Sequence, residues 1–325
     1  MKCLLFLFCV ALAALAVPAN ARAQSRTFAE RLGWGPDDRV LIFHNDDAGM
    51  SHESNLGTIE GFENGLLTSC STMMPCSWVP EFAAYLKGRA DIDNGLHLTL
   101  TSEWKGCRWA PVAGRDAVPG LVDAQGYMHR GVREVVANAS ADEVEKEIRA
   151  QIALAEKLGM HFTHLDSHMG TLFASPAFFE RYVAIGIELG VPIMIMSGST
   201  LEAERRAVAE QLGLDDVVAR VWDAGLPVLD HLFTSTADTG DPEEMVEALI
   251  ARLRSLPPGV TQIILHATRP GANFSAISGS GHVREAELEM VLSDRVRQVI
   301  EEEGIILTTY RELLERRRQV ADDQR

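Results

Sequence analysis

Short apolar stretches alternate with helical patterns along most of the chain, and this alternation restricts the fold more than any other feature of the sequence. The predicted strands cover residues 39–45, 68–74, 92–98, 162–167, 191–196, 226–233, 260–266 and 305–308. The predicted helices cover residues 52–64, 79–88, 141–158, 176–189, 200–212, 242–254, 283–302 and a last segment from Tyr310. Strands that alternate with helices pair in parallel, so we predict an α/β fold. Eight such units predict a TIM-like (β/α) barrel, complete or irregular, in a single domain.

Residues 1–23 have the pattern of a secretory signal peptide. A basic residue near the N-terminus is followed by an apolar run over 4–17 and by small-x-small cleavage sites that end at Ala21 and Ala23. The apolar run is short for a bilayer, and no later stretch approaches spanning length, so we expect no membrane anchor. We therefore expect residues 24–325 to form the mature domain and to be exported, either periplasmic or secreted.

Charge and cysteine content restrict the partners and the cross-links of the chain. The net charge is −16, which argues against a nucleic-acid partner, because binding to a phosphate backbone requires a basic surface. We expect a small neutral or cationic substrate instead. After the signal, Cys70, Cys76 and Cys107 remain, and an odd number predicts no disulfide framework, although two of them could pair in an oxidising compartment. The oligomeric state stays open.

Residues 100–140 interrupt the alternation of strands and helices. The segment contains Trp104, Trp109, Tyr127 and His129 among glycines and prolines, with little periodicity. A long irregular stretch that directly follows the carboxyl end of a predicted strand is more often a binding loop than a passive connection. We therefore predict an inserted lid over a functional site.

The first predicted strand continues into two adjacent carboxylates, Asp46 and Asp47. Catalytic groups of α/β folds lie at the carboxyl ends of strands, so this position favours a functional role. Neighbouring strand side chains point to opposite faces, and both carboxylates can reach one site only if the backbone turns there, which Gly49 permits. An Asx turn that caps the next helix explains the same residues when they are considered alone.

Histidines occur at the ends of two further predicted strands. In residues 95–100 the leucines share one face and His97 lies on the other, where it is either a functional group or a hydrogen-bonded core histidine. In the fourth strand, His164, Asp166 and His168 share one face. Three ionisable groups on one buried face are costly unless they bind a metal or pair with one another, and a polar ladder of hydrogen bonds is the alternative.

One carboxylate and two imidazoles from three strand ends form a facial ligand set that leaves positions open for water and substrate. The remaining carboxylate could then be a base. A fourth strand end supplies His266, followed by Arg269, and this histidine is either a general acid or a surface-loop residue. The pair Asp230 and His231 is a weaker candidate. Structural or lid roles are assigned to the remaining histidines, His44, His52, His129, His161 and His282.

These motifs resemble those of the YdjC-like carbohydrate deacetylases, relatives of the polysaccharide deacetylases. The resemblance rests on residues 45–49, 61–71, 95–101 and 163–168 and on His266 before Pro270 and Gly271, and it spans roughly residues 39–271. It implies a β/α-barrel-like fold and metal-dependent hydrolysis of an N-acetyl group on an amino sugar. The chain departs from the family pattern at Ala48, at His44 and at Met169-Gly170.

The resemblance also implies roles for individual residues. Asp47, His97 and His168 match the metal ligands, Asp46 the catalytic base and His266 the acid. We expect Asp166 to orient a ligand imidazole. The other residues expected to support the ligands or to contact substrate are His164, Arg269 and Trp104.

The sequence therefore predicts an exported hydrolase that removes an acetyl group from an N-acetylated saccharide with a divalent metal ion. Zinc suits two histidines and one aspartate, and magnesium, manganese and cobalt remain open. One alternative is a metal-dependent esterase or phosphoesterase on the same scaffold. The other is a non-catalytic exported protein in which Trp104 and Trp109 stack on a bound saccharide.

Overall fold

The computed structural model describes residues 26–198, 203–234 and 239–323, and the predicted signal peptide lies outside them. Seven strands in these ranges form one sheet: β1 Arg39–Ala48, β2 Ser69–Thr72, β3 Asn94–Leu98, β4 Leu165–Ser167, β5 His231–Phe233, β6 Gly259–Leu265 and β7 Ile306–Leu307. The α-helices are α1 Phe28–Arg31, α2 His52–Glu63, α3 Val79–Leu86, α4 Val132–Asn138, α5 Ala141–Lys157, α6 Pro176–Leu189, α7 Ala203–Gln211, α8 Leu214–Asp223, α9 Pro242–Arg254, α10 Ala272–Ile277, α11 Gly281–Leu292, α12 Asp294–Glu302 and α13 Tyr310–Asp323. Two 3-10 helices cover Pro119–Leu121 and His168–Phe173.

The sheet is built around β1, the longest strand. The strand order is β4-β3-β2-β1-β6-β5, and every pairing is parallel. One edge of β1 pairs with β6 from Arg39 to Asn45. The other edge pairs first with β7, at Val40 and Leu41, and then with β2, from His44 onwards. The central strand is therefore hydrogen-bonded along both edges, which suits its nearly continuous burial.

Two isolated bridges extend the sheet beyond its edge strands. Leu165 in β4 pairs with Ile193, and Met196 pairs with Leu229, just before β5. The predicted α/β class with a parallel, barrel-like sheet is confirmed. The described residues contain seven strands instead of the eight predicted, because the segment 191–196 makes only these single bridges and no regular strand.

Alternation along β1 separates the apolar core into two layers. Val40 and Ile42 pack into one cluster of buried residues, whereas Leu41 and Phe43 pack into the other. Successive strand side chains point to opposite faces, so a strand that is apolar at every position is buried on both sides. The α-helices that flank the sheet complete both layers.

Most predicted helices are present, but five regions differ. The helices α1, α8 and α10 were not predicted, and α4 lies inside the segment that we expected to be irregular. In α8, Val217, Val218, Val221 and Trp222 are buried, which is a helical spacing that the prediction missed. The predicted helix over 283–302 breaks into α11 and α12 at Ser293, whose ψ of 121° interrupts the helical hydrogen bonds.

The predicted lid segment is packed against the domain. The carboxylate of Glu147 in α5 accepts hydrogen bonds from the backbone N–H groups of Val112 and Ala113 at 2.9 and 2.8 Å. The indole of Trp109 donates to the carbonyl of Thr101 at 2.9 Å. These contacts anchor the segment to a long helix and to the residues that follow β3.

No helix in the described ranges is both long and apolar enough to cross a bilayer. The thiols of Cys70, Cys76 and Cys107 are all free, and the first two are buried. The structure therefore contains none of the disulfides that these three residues could form.

The buried carboxylate of Asp230 joins the N-terminal helix to the sheet. It accepts hydrogen bonds from the backbone N–H groups of Phe28, Ala29 and Val260 at 2.8, 3.1 and 2.8 Å. Hydrogen bonds to a charged group contribute more than neutral ones, and a buried donor left without an acceptor is costly. Asp230, a weaker candidate for function, thus has a clear structural role.

We predict that Asp230→Ala lowers the free energy of unfolding by about 3 kcal/mol, because three buried N–H groups lose their acceptor. Urea denaturation at equilibrium measures this change. Asp37→Ala, which removes an exposed carboxylate, is the matched control and should change the free energy of unfolding by less than about 0.5 kcal/mol. Equal stability of the two variants would contradict the assigned role.

Candidate metal centre and active site

The backbone at the end of β1 brings two adjacent carboxylates to one side of the sheet. Asp47 has a φ of 66°, in the left-handed region, and the pairing of β1 with β2 shifts register between Asn45 and Ala48. Aspartate is one of the few non-glycine residues that adopt this conformation. Gly49 follows with a φ of 84°, and a Cβ atom there would lie 2.7 Å from the side chain of Val79. The turn that we attributed to Gly49 therefore begins at Asp47.

The side chain of Asn45 fixes this turn to two neighbouring elements. Its amide group donates to the hydroxyl of Thr58 in α2 at 2.9 Å. Its carbonyl oxygen accepts a hydrogen bond from the backbone N–H of Ala267 at 2.6 Å. Because Ala267 directly follows His266, one buried amide holds the ends of β1 and β6 in register.

The structure brings together the three predicted metal ligands. Asp47, His97 and His168 are buried, and each offers a ligand atom within 4.8 Å of those of the other two. The Oδ1 atom of Asp47 lies 3.5 Å from Nε2 of His97 and 3.3 Å from Nδ1 of His168. Residues from β1, β3 and the end of β4 thus converge although they lie far apart in the sequence.

This donor set fits a divalent cation. Oδ1 of Asp47 is buried and has no hydrogen-bond donor of good geometry among the described residues, so its lone pairs are available. Two ring nitrogens face the same oxygen at distances longer than a good hydrogen bond. One carboxylate and two imidazoles are the ligands of many facial metal sites with open positions.

The charge on Asp47 is stabilised by a residue that the sequence analysis did not single out. Nη2 of Arg284 in α11 lies 2.7 Å from Oδ2 of Asp47. Burial raises the pKa of Asp47, but the charges of Arg284 and His168 outweigh it and hold this pKa well below its usual value. Asp47 is therefore ionised, as a metal ligand must be.

Two further carboxylates orient the ligand imidazoles. Nδ1 of His97 lies 2.7 Å from Oδ1 of Asp166, and Nε2 of His168 lies 3.0 Å from Oε1 of Glu103. Each contact leaves the opposite ring nitrogen directed at Asp47, which is a common arrangement around metal-binding histidines. Burial lowers the pKa of both rings, but the neighbouring carboxylates outweigh it and raise the pKa of His97 and that of His168, the latter to about 10. A cation that binds here would therefore displace a proton from His168.

The other member of the aspartate pair lies beside the ligand cluster. Oδ2 of Asp46 is 3.6 Å from Nε2 of His97 and 4.0 Å from Nε2 of His266. His266 follows β6, and about a third of its side chain is exposed, 32%. Its Nδ1 lies 3.6 Å from Oε2 of Glu287, which also accepts a hydrogen bond from its backbone N–H at 2.8 Å. The two predicted proton-transfer groups are therefore neighbours.

Some predicted site residues have other surroundings. The guanidinium beside the ligands belongs to Arg284, whereas Arg269 is half exposed and pairs with Glu60. The ring of His164 is fully buried and stacks on Tyr310, with centroids 4.0 Å apart, so it has no exposed surface for a substrate. Arg284 is the arginine that contacts Asp47, and a contact between Arg269 and substrate stays a prediction. His164 lies beneath the cluster, against Tyr310.

Aromatic packing places Trp104 next to the cluster. Its ring centroid is 5.4 Å from Trp109 and 6.1 Å from His168. The guanidinium of Arg284 lies 5.8 Å from the same indole ring. Trp104 therefore lies beside both a predicted metal ligand and the arginine that pairs with Asp47.

In contrast, Nε2 of His231 contacts the carbonyl of Pro258, before the amino end of β6.

Four contributing residues were missed by sequence reasoning: Arg284, Glu287, Glu103 and His44. The first two are three positions apart on α11 and therefore share a helix face, but nothing in their spacing singles them out. Glu103 lies in an irregular segment, where periodicity gives no direction. His44 was assigned a structural role, yet its Nε2 lies 3.1 Å from Asp46 and 3.0 Å from Asp166.

The chain is similar to several carbohydrate deacetylases along most of its length. A carbohydrate deacetylase from Thermus thermophilus is 32% identical to the chain, over 84% of this chain and 93% of that protein. A carbohydrate deacetylase from Thermoanaerobacter pseudethanolicus is 27% identical, over 84% of this chain and 98% of that protein. A chitooligosaccharide deacetylase from Serratia marcescens is 25% identical, over 85% of this chain and all of that protein.

A solved structure and a family model extend the comparison to the whole fold. The crystal structure of a candidate cellobiose-phosphate cleavage protein from Enterococcus faecalis superposes with a TM-score of 0.71 and 25% identity. It covers 85% of this chain and 99% of that one. The model of the YdjC-like protein family matches residues 40–302, which include every predicted ligand and both predicted proton-transfer groups. The chain therefore belongs to the YdjC-like family.

Proposed function

We propose that the protein is a metal-dependent carbohydrate deacetylase that hydrolyses the acetamido group of an N-acetylated amino sugar or oligosaccharide. The convergence of Asp47, His97 and His168 beside Asp46 and His266 carries this proposal. Relatives named carbohydrate or chitooligosaccharide deacetylase, matched over nearly their whole lengths, support it. The chain is accordingly a hydrolase of carbon–nitrogen bonds that acts on a small saccharide.

Asp47, His97 and His168 are the residues that would hold the divalent cation. The ligand types suit zinc best, and magnesium, manganese and cobalt accept the same combination of carboxylate and imidazole. When bound, such a cation supplies Lewis acidity toward an acetyl carbonyl and a water molecule. The rest of the reaction is proton transfer by residues of this chain.

Asp46 acts as the general base. Its Oδ2 atom is directed at the space between His97 and His266, at 3.6 and 4.0 Å from their Nε2 atoms, and its side chain retains 11% exposure. A carboxylate in this position can accept a proton from water that attacks the acetyl carbon.

His266 acts as the general acid that protonates the departing amine. Burial and the charge of Arg284 lower its pKa, but the contact with Glu287 outweighs them and the pKa is raised above its usual value. The protonated imidazole is therefore favoured near neutral pH, as an acid requires. Its exposed fraction leaves it accessible to a substrate.

Two other activities compete with deacetylation. The Enterococcus structure is that of a candidate cellobiose-phosphate cleavage protein, and removal of the phosphate from such a sugar would be a phosphoesterase reaction. The arginines near this part of the fold are already paired, Arg284 with Asp47 and Arg269 with Glu60, which weakens the case for a phosphate group. A purely binding function has no need for both Asp46 and His266 beside the ligands.

We predict that the purified protein releases acetate from N-acetylated chitooligosaccharides and that a chelator abolishes this release. An enzymatic acetate assay measures the product, and a divalent cation added after the chelator is removed should restore activity. Cellobiose phosphate, followed by a phosphate assay, tests the competing activity in parallel. Phosphate release without any acetate release would overturn the proposed function.

The two adjacent aspartates should separate metal binding from turnover. We predict that Asp47→Ala loses the bound cation, because one of three ligands is removed, whereas Asp46→Asn retains it and loses about 10²- to 10⁴-fold in kcat. Elemental analysis after dialysis and steady-state kinetics at saturating metal measure the two effects. An Asp46→Asn variant with the kcat of the unchanged protein would show that the base is assigned incorrectly.

We also propose that the protein is exported, on the basis of the pattern in residues 1–23. Expression of the full chain in a Gram-negative host should give a periplasmic or secreted product that begins after Ala21 or Ala23. N-terminal sequencing of each cell fraction is the measurement. A cytoplasmic product that retains residues 1–23 would contradict export. The periplasmic β-lactamase encoded by the expression plasmid provides the fractionation control.

A further inference from the structure

His44 lies in the centre of β1 and is fully buried, with both ring nitrogens next to polar atoms. We propose that His44 is a positioning residue for the deacetylation reaction: its imidazole fixes the Asp46 carboxylate, with Asp166 as the anchor on its other side. The inference rests on the proposed function, since it assigns a role within that reaction. Neither the family match nor the names of the relatives assign a role to this histidine.

Asp46 and Asp166 each direct one carboxylate oxygen at His44 and the other at the site. Nε2 of His44 lies 3.1 Å from Oδ1 of Asp46 and 3.0 Å from Oδ2 of Asp166. Oδ2 of Asp46 is directed at His97, 3.6 Å away, and Oδ1 of Asp166 lies 2.7 Å from the other nitrogen of the same ring. One ring nitrogen thus lies against one oxygen of each carboxylate: it makes its hydrogen bond with Asp166, whereas Oδ1 of Asp46 has no hydrogen bond among the described residues and is held by the ion-pair contact with His44.

The imidazole of His44 is itself held in place. Nδ1 of His44 lies 3.0 Å from the hydroxyl of Ser69, and Nε2 lies 3.1 Å from the hydroxyl of Ser71. The ring meets the edges or faces of His164 and Tyr310 at centroid distances of 5.1 and 6.4 Å. A ring enclosed in this way cannot follow a moving carboxylate, so it can define where Asp46 lies.

The charge of His44 also balances those of the buried carboxylates around it. Asp46, Asp47 and Asp166 are all buried at one end of the sheet. Arg284 pairs with Asp47, and His44 contacts the other two carboxylates at 3.1 and 3.0 Å, whereas His97 contacts their remaining oxygens from the side of the site. Burial lowers the pKa of His44, but its contacts with the carboxylates of Asp166 and Asp46 outweigh burial and raise the pKa to about 9. Without a positive partner, two buried carboxylates around one ring would repel each other.

The functional consequence concerns the direction of Asp46. Asp47, the next residue, has left-handed backbone geometry. The side chain of Asp46 can rotate and thereby exchange the positions of its two oxygens. Contact with His44 favours the rotamer in which Oδ2 faces His97 and His266. A general base works only when its proton-accepting atom is correctly placed, and small misplacements cost large factors in rate.

The test compares His44→Gln with the unchanged protein at saturating metal. Glutamine keeps a hydrogen-bond donor but removes the charge and the ring, so we expect kcat to fall about 10- to 100-fold, with KM within about threefold. The same substitution added to Asp46→Asn should leave the residual kcat unchanged, because the group that His44 positions is already disabled. Elemental analysis verifies equal metal content in all variants.

Two controls keep the test decisive if the buried substitution weakens folding. His231→Gln alters a buried histidine that contacts Pro258, and it should lower thermal stability but keep the kcat of the unchanged protein. Ser69→Ala keeps the ring of His44, removes the hydrogen bond to its Nδ1 together with the hydrogen bond between Ser69 and Asp93, and should lower kcat about threefold to tenfold. If His44→Gln does not fold, Ser69→Ala decides the question.

Three results would overturn the inference. They are a folded His44→Gln variant with kcat within twofold of the unchanged protein, effects of His44→Gln and Asp46→Asn that multiply, and an unchanged kcat in Ser69→Ala when His44→Gln is unfolded. These differ from failure of the proposed function, in which the unchanged protein releases no acetate from any N-acetylated saccharide, and which would remove both.

Discussion

The site depends on the burial of three carboxylates at one end of a parallel sheet. Asp46, Asp47 and Asp166 are all buried, and isolated charges in such a position are costly. Arg284 and His44 supply two positive partners, and a divalent cation bound by Asp47 would add a third. The structure therefore brings carboxylate oxygens and imidazole nitrogens together in one buried space, and these are ligand types that suit a divalent cation.

The central strand makes this concentration of charge possible. β1 is hydrogen-bonded on both edges and buried on both faces, so its carboxyl end is a rigid platform. The left-handed turn at Asp47 and the side chain of Asn45 then direct two adjacent carboxylates into one space. Burial of the apolar core offsets the conformational entropy that the chain loses when it holds the polar site in one arrangement before any ligand binds.

Sequence reasoning recovered the parts of the site that follow from strands. Asp46, Asp47, His97 and His266 each lie at the carboxyl end of a predicted strand, and such ends meet at one edge of a parallel sheet. The prediction that His164, Asp166 and His168 share one face of a strand was less informative, because β4 covers only Leu165–Ser167. His164 precedes this strand and stacks on Tyr310 beneath the site. Arg284 and Glu287 reach it from α11 through tertiary packing, for which no local pattern exists. The broken helix at Ser293 and the missed α8 likewise reflect backbone and packing choices that periodicity alone did not resolve.

The inserted segment after β3 is part of the site. Glu103 contacts Nε2 of His168 at 3.0 Å, and Arg130 donates to the carbonyls of Glu103 and Trp104 at 3.1 Å each. Displacement of this stretch as one unit would remove the carboxylate that orients a ligand imidazole. A substrate that reached the site by such a displacement would therefore disturb one of the three residues proposed to hold a cation. Motion compatible with this arrangement must leave Glu103 on His168, so it is restricted to the parts of the segment beyond these contacts.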